Sequence, residues 1–219
     1  LVGANNTALG SRSLQSNLAS DNTAIGYWSL KANTTGTPNT SVGKDALKAN
    51  TTGGSNVAVG FESLLTLTTG SHNTALGKRA MKLALSTQQN TAIGSGCMQN
   101  ATGSYNTAMG YSAGWPITSG ASNTMIGHLA GSSMSSGDNN LLLGHDAGIT
   151  GSPGGAISTA DNTIILGDEN IANAHIQVDW TVASDKRDKT DVEELSMGLA
   201  FVNKLEPVTY RWDKRSKYS

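Results

Sequence analysis

A five-residue unit, Asn-Thr-Ala-aliphatic-Gly, returns along this chain every 16 or 17 residues. It begins at Asn6, Asn22, Asn39, Asn56, Asn73, Asn90, Asn106, Asn123 and Asn140, and a stretched copy runs from Asn162 to Gly167. A fixed period of this kind means one small structural unit stacked on copies of itself, since a single unit cannot bury its own apolar face. Units this short cannot hold a helix pair, and Asn, Thr and Gly are poor residues for helix interiors. They suit a flattened coil made of a short strand, a Gly turn, a second short segment and a second turn. Stacked coils put equivalent side chains about 4.8 Å apart. Asn can then bond to Asn, and Thr and Leu can pack on their own kind. The sequence therefore predicts an all-β fold: a parallel β-helix or β-roll solenoid of 16–17-residue coils, about 43 Å long for nine coils.

The remaining columns repeat as well. The aliphatic position holds Leu9, Ile25, Val42, Val59, Leu76, Ile93, Met109, Ile126 and Leu143. Three residues after Gly the side chain is small, as at Ser29, Ala46, Cys97 and Ala130. The next position is Leu or Met through Met98, then Gly114, Gly131 and Gly148. That switch suggests a change of cross-section toward the C-terminal end. Ala and the aliphatic residue are neighbours in the strand, so they face opposite ways. If the aliphatic residue fills the coil, the Ala face needs another wall. A second copy of the chain is the simplest one, which makes the protein a homo-oligomer.

Composition narrows the function. Charged residues make up 14% of the chain and the net charge is -1, which argues against a nucleic-acid binder, since those need a basic face. No run of 18 apolar residues crosses a membrane. A single Cys rules out an intrachain disulfide framework, and no cofactor motif is present. Residues 1–183 carry 16 charges, whereas residues 184–219 carry 15. The sequence thus divides into a repeat fibre at 1–148, a loop, last coil and connecting strand at 149–183, and a different unit at 184–219. In that unit Thr190 and Glu193 form a capping box for a short helix with Leu195, Leu199, Val202 and Leu205 as its apolar stripe. Val208–Trp212 reads as a strand, giving the beginning of a small α+β domain. The chain starts inside a repeat and stops inside this unit, so both ends read as internal to a longer protein.

The residues Ser184-Asp185-Lys186-Arg187-Asp188-Lys189, then Gly198-Leu199, then Leu205-Glu206-Pro207-Val208-Thr209-Tyr210-Arg211-Trp212 resemble the start of the endosialidase-type intramolecular chaperone domain of phage tail fibres and tailspikes. The repeats are similar to Asn-Thr-Ala-x-Gly arrays of phage fibre proteins and to the heads of trimeric autotransporter adhesins. The resemblance implies a homotrimeric tail-fibre shaft or tip in a virion. Its partners would be sister chains, other fibre or baseplate proteins, and a host surface glycan or other receptor. It also implies self-cleavage between Ala183 and Ser184, with Ser184 as nucleophile and Lys189 as the group that activates it, as an amine of lowered pKa can. Asp188 departs from the family pattern, where an aliphatic residue is usual. A carboxylate beside Lys189 favours its charged form, and the bland alternative is an inert hinge.

Other candidates compete with structural readings. Tyr27, Trp28, Phe61 and Tyr111 follow the repeat Gly in variable columns, where exposed aromatic faces could stack on sugar rings or merely line chain contacts. His128 and His145 occupy one column a coil apart, with Asp146 adjacent; stacked His and Asp in a trimer could bind a metal, but variable surface positions are the favoured reading, so no metal is expected. Cys97 reads as a small buried residue. No set of residues suggests a turnover enzyme. The rival functions are a bacterial cell-surface adhesin of trimeric type and an ice-binding solenoid presenting its Thr columns.

Overall fold

The computed structural model describes residues 3–175. These lie in one compact unit ending at Ala174, apart from the final residue. It is the predicted parallel β-solenoid, and no helix occurs among the described residues. Ten strands form one parallel sheet in strict sequence order. They are β1 (Thr7–Leu9), β2 (Thr23–Ile25), β3 (Asn39–Val42), β4 (Asn56–Val59), β5 (Thr74–Leu76), β6 (Thr91–Ile93), β7 (Thr107–Met109), β8 (Thr124–Ile126), β9 (Leu141–Leu143) and β10 (Ile164–Leu166). Register is exact by repeat position, for example Thr74 on Thr91, Ala75 on Ala92 and Leu76 on Ile93. β10 continues the stack beyond the interrupting segment 150–161, pairing Ile165 with Leu142.

The Asn that opens each repeat forms a buried ladder. The Asn39 Oδ1 accepts the Asn56 backbone N–H at 3.0 Å, and the Asn56 Oδ1 accepts that of Asn73 at 3.0 Å. This link recurs from Asn6 through Asn140, whose Oδ1 accepts the Thr163 N–H. Each amide also donates across the coil, as Asn73 Nδ2 does to the Thr87 carbonyl at 2.8 Å. The Asn side chains from Asn22 to Asn140 are almost wholly buried. Buried amides are tolerable only when paired in this way. A second, shorter column of Asn17, Asn33 and Asn50 stops beneath Leu67, and Asn50 Oδ1 is left without a partner.

The second side of the coil is built from turns rather than from a regular strand. Its backbone still bonds from coil to coil, as from Leu47 N–H to the Ser63 carbonyl and from Ala49 N–H to the Leu65 carbonyl. The reason is the backbone at the Leu14, Leu30, Leu47, Leu64, Met81 and Met98 column, where φ lies between 45° and 50°. This left-handed conformation costs a non-glycine residue about 1–2 kcal/mol. The repeat Gly is more demanding. At Gly60 φ is 129°, and a Cβ would stand 2.5 Å from the Gly77 carbonyl oxygen.

The strand faces are the reverse of the sequence expectation. The middle residues Ala24, Ala58, Ala75, Ala92 and Ala108 are fully buried inside the coil. The aliphatic column points outward: Leu9 is 66% exposed and Met109 43%. The coil is narrow, and the Leu/Met column of the turn side already fills it, so the strand has room only for Ala. What lacks a wall is the outer sheet face, with its Thr and aliphatic columns.

The Leu/Met-to-Gly switch does not thin the interior. The turn side becomes Gly114, Gly131 and Gly148, and from the coil after Gly114 onward the strand side becomes Met125, Leu142 and Ile165. Met125 Sδ lies 2.8 Å from the position a Gly131 Cβ would take, and Leu142 Cδ1 3.2 Å from that of Gly148. The next turn-side column gains bulk too, in Ile117 and Met134, both fully buried. Bulk changes walls and the interior stays packed.

Candidate functional site

Three columns leave the coil at one edge: the first, second and fifth residues after the repeat Gly. All seven Lys and Arg of residues 1–183 fall in them: Arg12, Lys31, Lys44, Lys48, Lys78, Arg79 and Lys82. The fold gathers these scattered residues because coil period matches column spacing. Within these columns only Asp45 and Glu62 oppose them between residues 11 and 115, so this stretch of the edge is positive.

The aromatic candidates lie in the same strip. Tyr27 stacks on Trp28 at 4.7 Å between centroids. The Trp28 ring is covered by the ammonium groups of Lys48 at 4.1 Å and Lys31 at 4.4 Å. Its indole Nε1–H is buried with no acceptor. Phe61 sits between Lys44 and Arg79 at 5.7 and 5.9 Å. Cations over aromatic faces are attracted by the ring quadrupole. These rings therefore carry basic groups in place of open stacking faces. Tyr111, 58% exposed, stacks at its other side on His128 at 5.4 Å.

Tyr111 also borders a shallow groove of about 220 Å³, shared with Lys78, Arg79, Ser95, Gln99 and Trp115. Trp115 was missed in the sequence because it stands in the fifth column, outside the positions directly after Gly. Its signal was there: the same column holds Lys31, Lys48 and Lys82. Glu62 anchors the basic side chains, with Oε2 at 2.9 Å from Lys82 Nζ and 3.0 Å from Arg79 Nε. The hydrogen bond from Lys82, then that from Arg79, holds its carboxyl below the usual glutamate range despite partial burial.

Toward the C-terminal end the same columns hold His128, His145, Asp146 and Asp168. The rings of His128 and His145 stack at 5.0 Å. Asp168 accepts the Asn170 backbone N–H at 2.9 Å and its Nδ2 at 3.2 Å. Those bonds, with His145 adding less, hold its carboxyl below the usual range.

Cys97 is fully buried, and its thiol donates to the Ala108 carbonyl at 3.3 Å. Burial pushes its pKa up to about 12, so it is not a nucleophile. Ala183, Ser184, Lys189, the capping box and the short helix lie outside the described residues.

Residues 184–218 match the protein family described as chaperone of endosialidase. The match opens at Ser184, where the sequence motif opens, so the C-terminal segment is the start of such a chaperone domain. No curated protein and no solved structure matches the chain.

Proposed function

We propose that this chain is a structural fibre segment of a phage tail fibre, trimerised by its C-terminal chaperone and serving attachment to a host surface. The observation that carries this reading is the joining of two features in one chain. A solenoid of in-register coils runs in sequence toward a segment with chaperone-of-endosialidase character. A fibre needs a uniform, extensible unit and a device to set the chains in register before they stack. The outward Thr and aliphatic face is where sister chains pack, and the basic, aromatic edge stays free for a receptor. Aromatic rims and Lys/Arg groups suit a carbohydrate with acidic substituents, the groove at Tyr111 and Trp115 being the best-formed contact.

Glycan-array binding of the full-length protein tests attachment. Signal on acidic glycans, reduced by Trp115→Ala, Tyr111→Ala and Trp28→Ala, is expected. A silent array, or binding unchanged in all three variants, contradicts the role given to this edge. Self-cleavage at the Ala183–Ser184 bond belongs to the same reading. Intact mass spectrometry should show a cleaved species in the wild type and none in Ser184→Ala, while uncleaved chains in both remove the step.

The outward placement of Thr23, Thr74, Thr91 and Thr107 in one flat column favours a second reading, ice binding. Thermal hysteresis separates the two, and the fibre reading expects none.

A further inference from the structure

The column after the repeat Gly ends in a cluster unlike the basic strip before it. His128 and His145 are one coil apart, and the coil spacing alone sets their rings 7° from parallel. Asp146 reaches both: its Oδ2 is 3.3 Å from His145 Nδ1, and its Oδ1 is 4.0 Å from His128 Nδ1. One ligand atom from each of the three lies within 4.8 Å of the others. Asp168, from the coil of β10, brings Oδ2 to 3.3 Å from His145 Nδ1. Its carboxylate is fixed in place by Asn170.

Donor atoms bound to a tetrahedral zinc ion at about 2.0–2.2 Å stand about 3.3–3.6 Å from each other. Two of the separations here already have that length. The longer ones, all from His128 and within 4.8 Å, close when the His128 ring turns out of its stack about its second side-chain torsion, which is soft. Asp146 Oδ1 is shut off from solvent and has no hydrogen-bond donor. A buried carboxylate oxygen in that state is costly without a donor or a cation, and a bound metal ion would be such a partner. Among the described residues, Lys and Arg are absent from this end of the edge.

We propose that His128, His145 and Asp146, with Asp168 as a fourth oxygen within reach, bind a divalent transition-metal ion such as zinc. Imidazole and carboxylate together select zinc, nickel, cobalt or copper, whereas calcium and magnesium prefer oxygen alone. The ion ties the coils of β8, β9 and β10 together across the place where segment 150–161 breaks the period. It acts as a pin on the stack, and both exposed rings leave further coordination positions to water.

Isothermal titration of the full-length protein with zinc chloride alone tests this. One ion per chain is expected, with affinity at least about tenfold weaker in His145→Ala and in His128→Ala. Zinc should raise the thermal midpoint of the wild type, leave that of His145→Ala unmoved, and act equally in a His72→Ala control. Calcium should do neither. Circular dichroism of the zinc-free variants checks that each folds as the wild type, as expected for exposed side chains. No zinc uptake by the wild type, or uptake unchanged in both His128→Ala and His145→Ala, overturns the proposal.

Discussion

In the coil of β5 the strand contributes Ala75 to the interior and the turn side contributes Met81; in the coil of β9 the strand contributes Leu142 and the turn side Gly148. The two ends of the solenoid enclose the same kind of interior with the bulk on opposite walls. What is kept from coil to coil is filled volume together with backbone conformation. The left-handed corner is occupied by Leu or Met at φ 45–50° in the first six coils and by Gly at 60–81° in the next three. Changing the wall therefore also relieves the strain of a bulky residue in a left-handed corner.

The sharpest way to break the comparison is the repeat Gly, common to both ends but not equally tight. Gly60→Ala places a methyl 2.5 Å from a carbonyl oxygen, whereas at Gly144 the nearest atom is a Cα at 3.0 Å. Chemical denaturation should show a loss of about 4 kcal/mol or more for Gly60→Ala, or no folded protein, and clearly less for Gly144→Ala. Next comes the exchange of walls itself. Gly131→Leu drives a side chain into Met125 and should cost about 3 kcal/mol through overpacking and corner strain. Adding Met125→Ala should restore more than half of that. A double variant no better than Gly131→Leu alone would show that the two walls do not compensate.

The Asn ladder is the part both ends share unchanged. Asn73→Ala leaves the Asn90 N–H and the Thr87 carbonyl without their partner, and should cost about 2–3 kcal/mol wherever in the ladder it is made. The smallest effect belongs to the edge. The lowered carboxyl of Glu62 stabilises the fold above the ordinary glutamate range, and that contribution is lost as pH falls through its depressed value. Glu62 is partly exposed, so Glu62→Gln should cost under about 1 kcal/mol at neutral pH. Its effect should vanish in acid, as thermal melts at several pH values will show.

Much of this was legible in the residues. The period fixed the coil, and the invariant Asn and Gly fixed the ladder and the tight corner, because only those side chains satisfy such positions in a stack. Which strand face points inward was not legible from alternation, which says that neighbours oppose and not which one is inside. Size misled, since Leu and Met of the turn side fill the coil before the strand can. The decisive signal was the paired change at Met125 and Gly131, and again at Leu142 and Gly148. It reads as compensation only once both columns are known to share one interior. The edge was half legible: Tyr27, Trp28, Phe61 and Tyr111 stood out beside the Gly, but their basic neighbours and Trp115 join them only through the fold.

The outward sheet face ties the fold to its role, since Leu9, Met109, Ile126, Ile164 and Leu166 are all exposed there. A single chain presenting that face to water is a poor solution for the proposed fibre, and sister chains packed on it are a good one. The most direct measurement is the mass of this 219-residue chain in solution by sedimentation equilibrium. Three chains of 22.6 kDa each, moving as one particle at every concentration studied, is the predicted result. A folded particle with the mass of one chain would contradict the account.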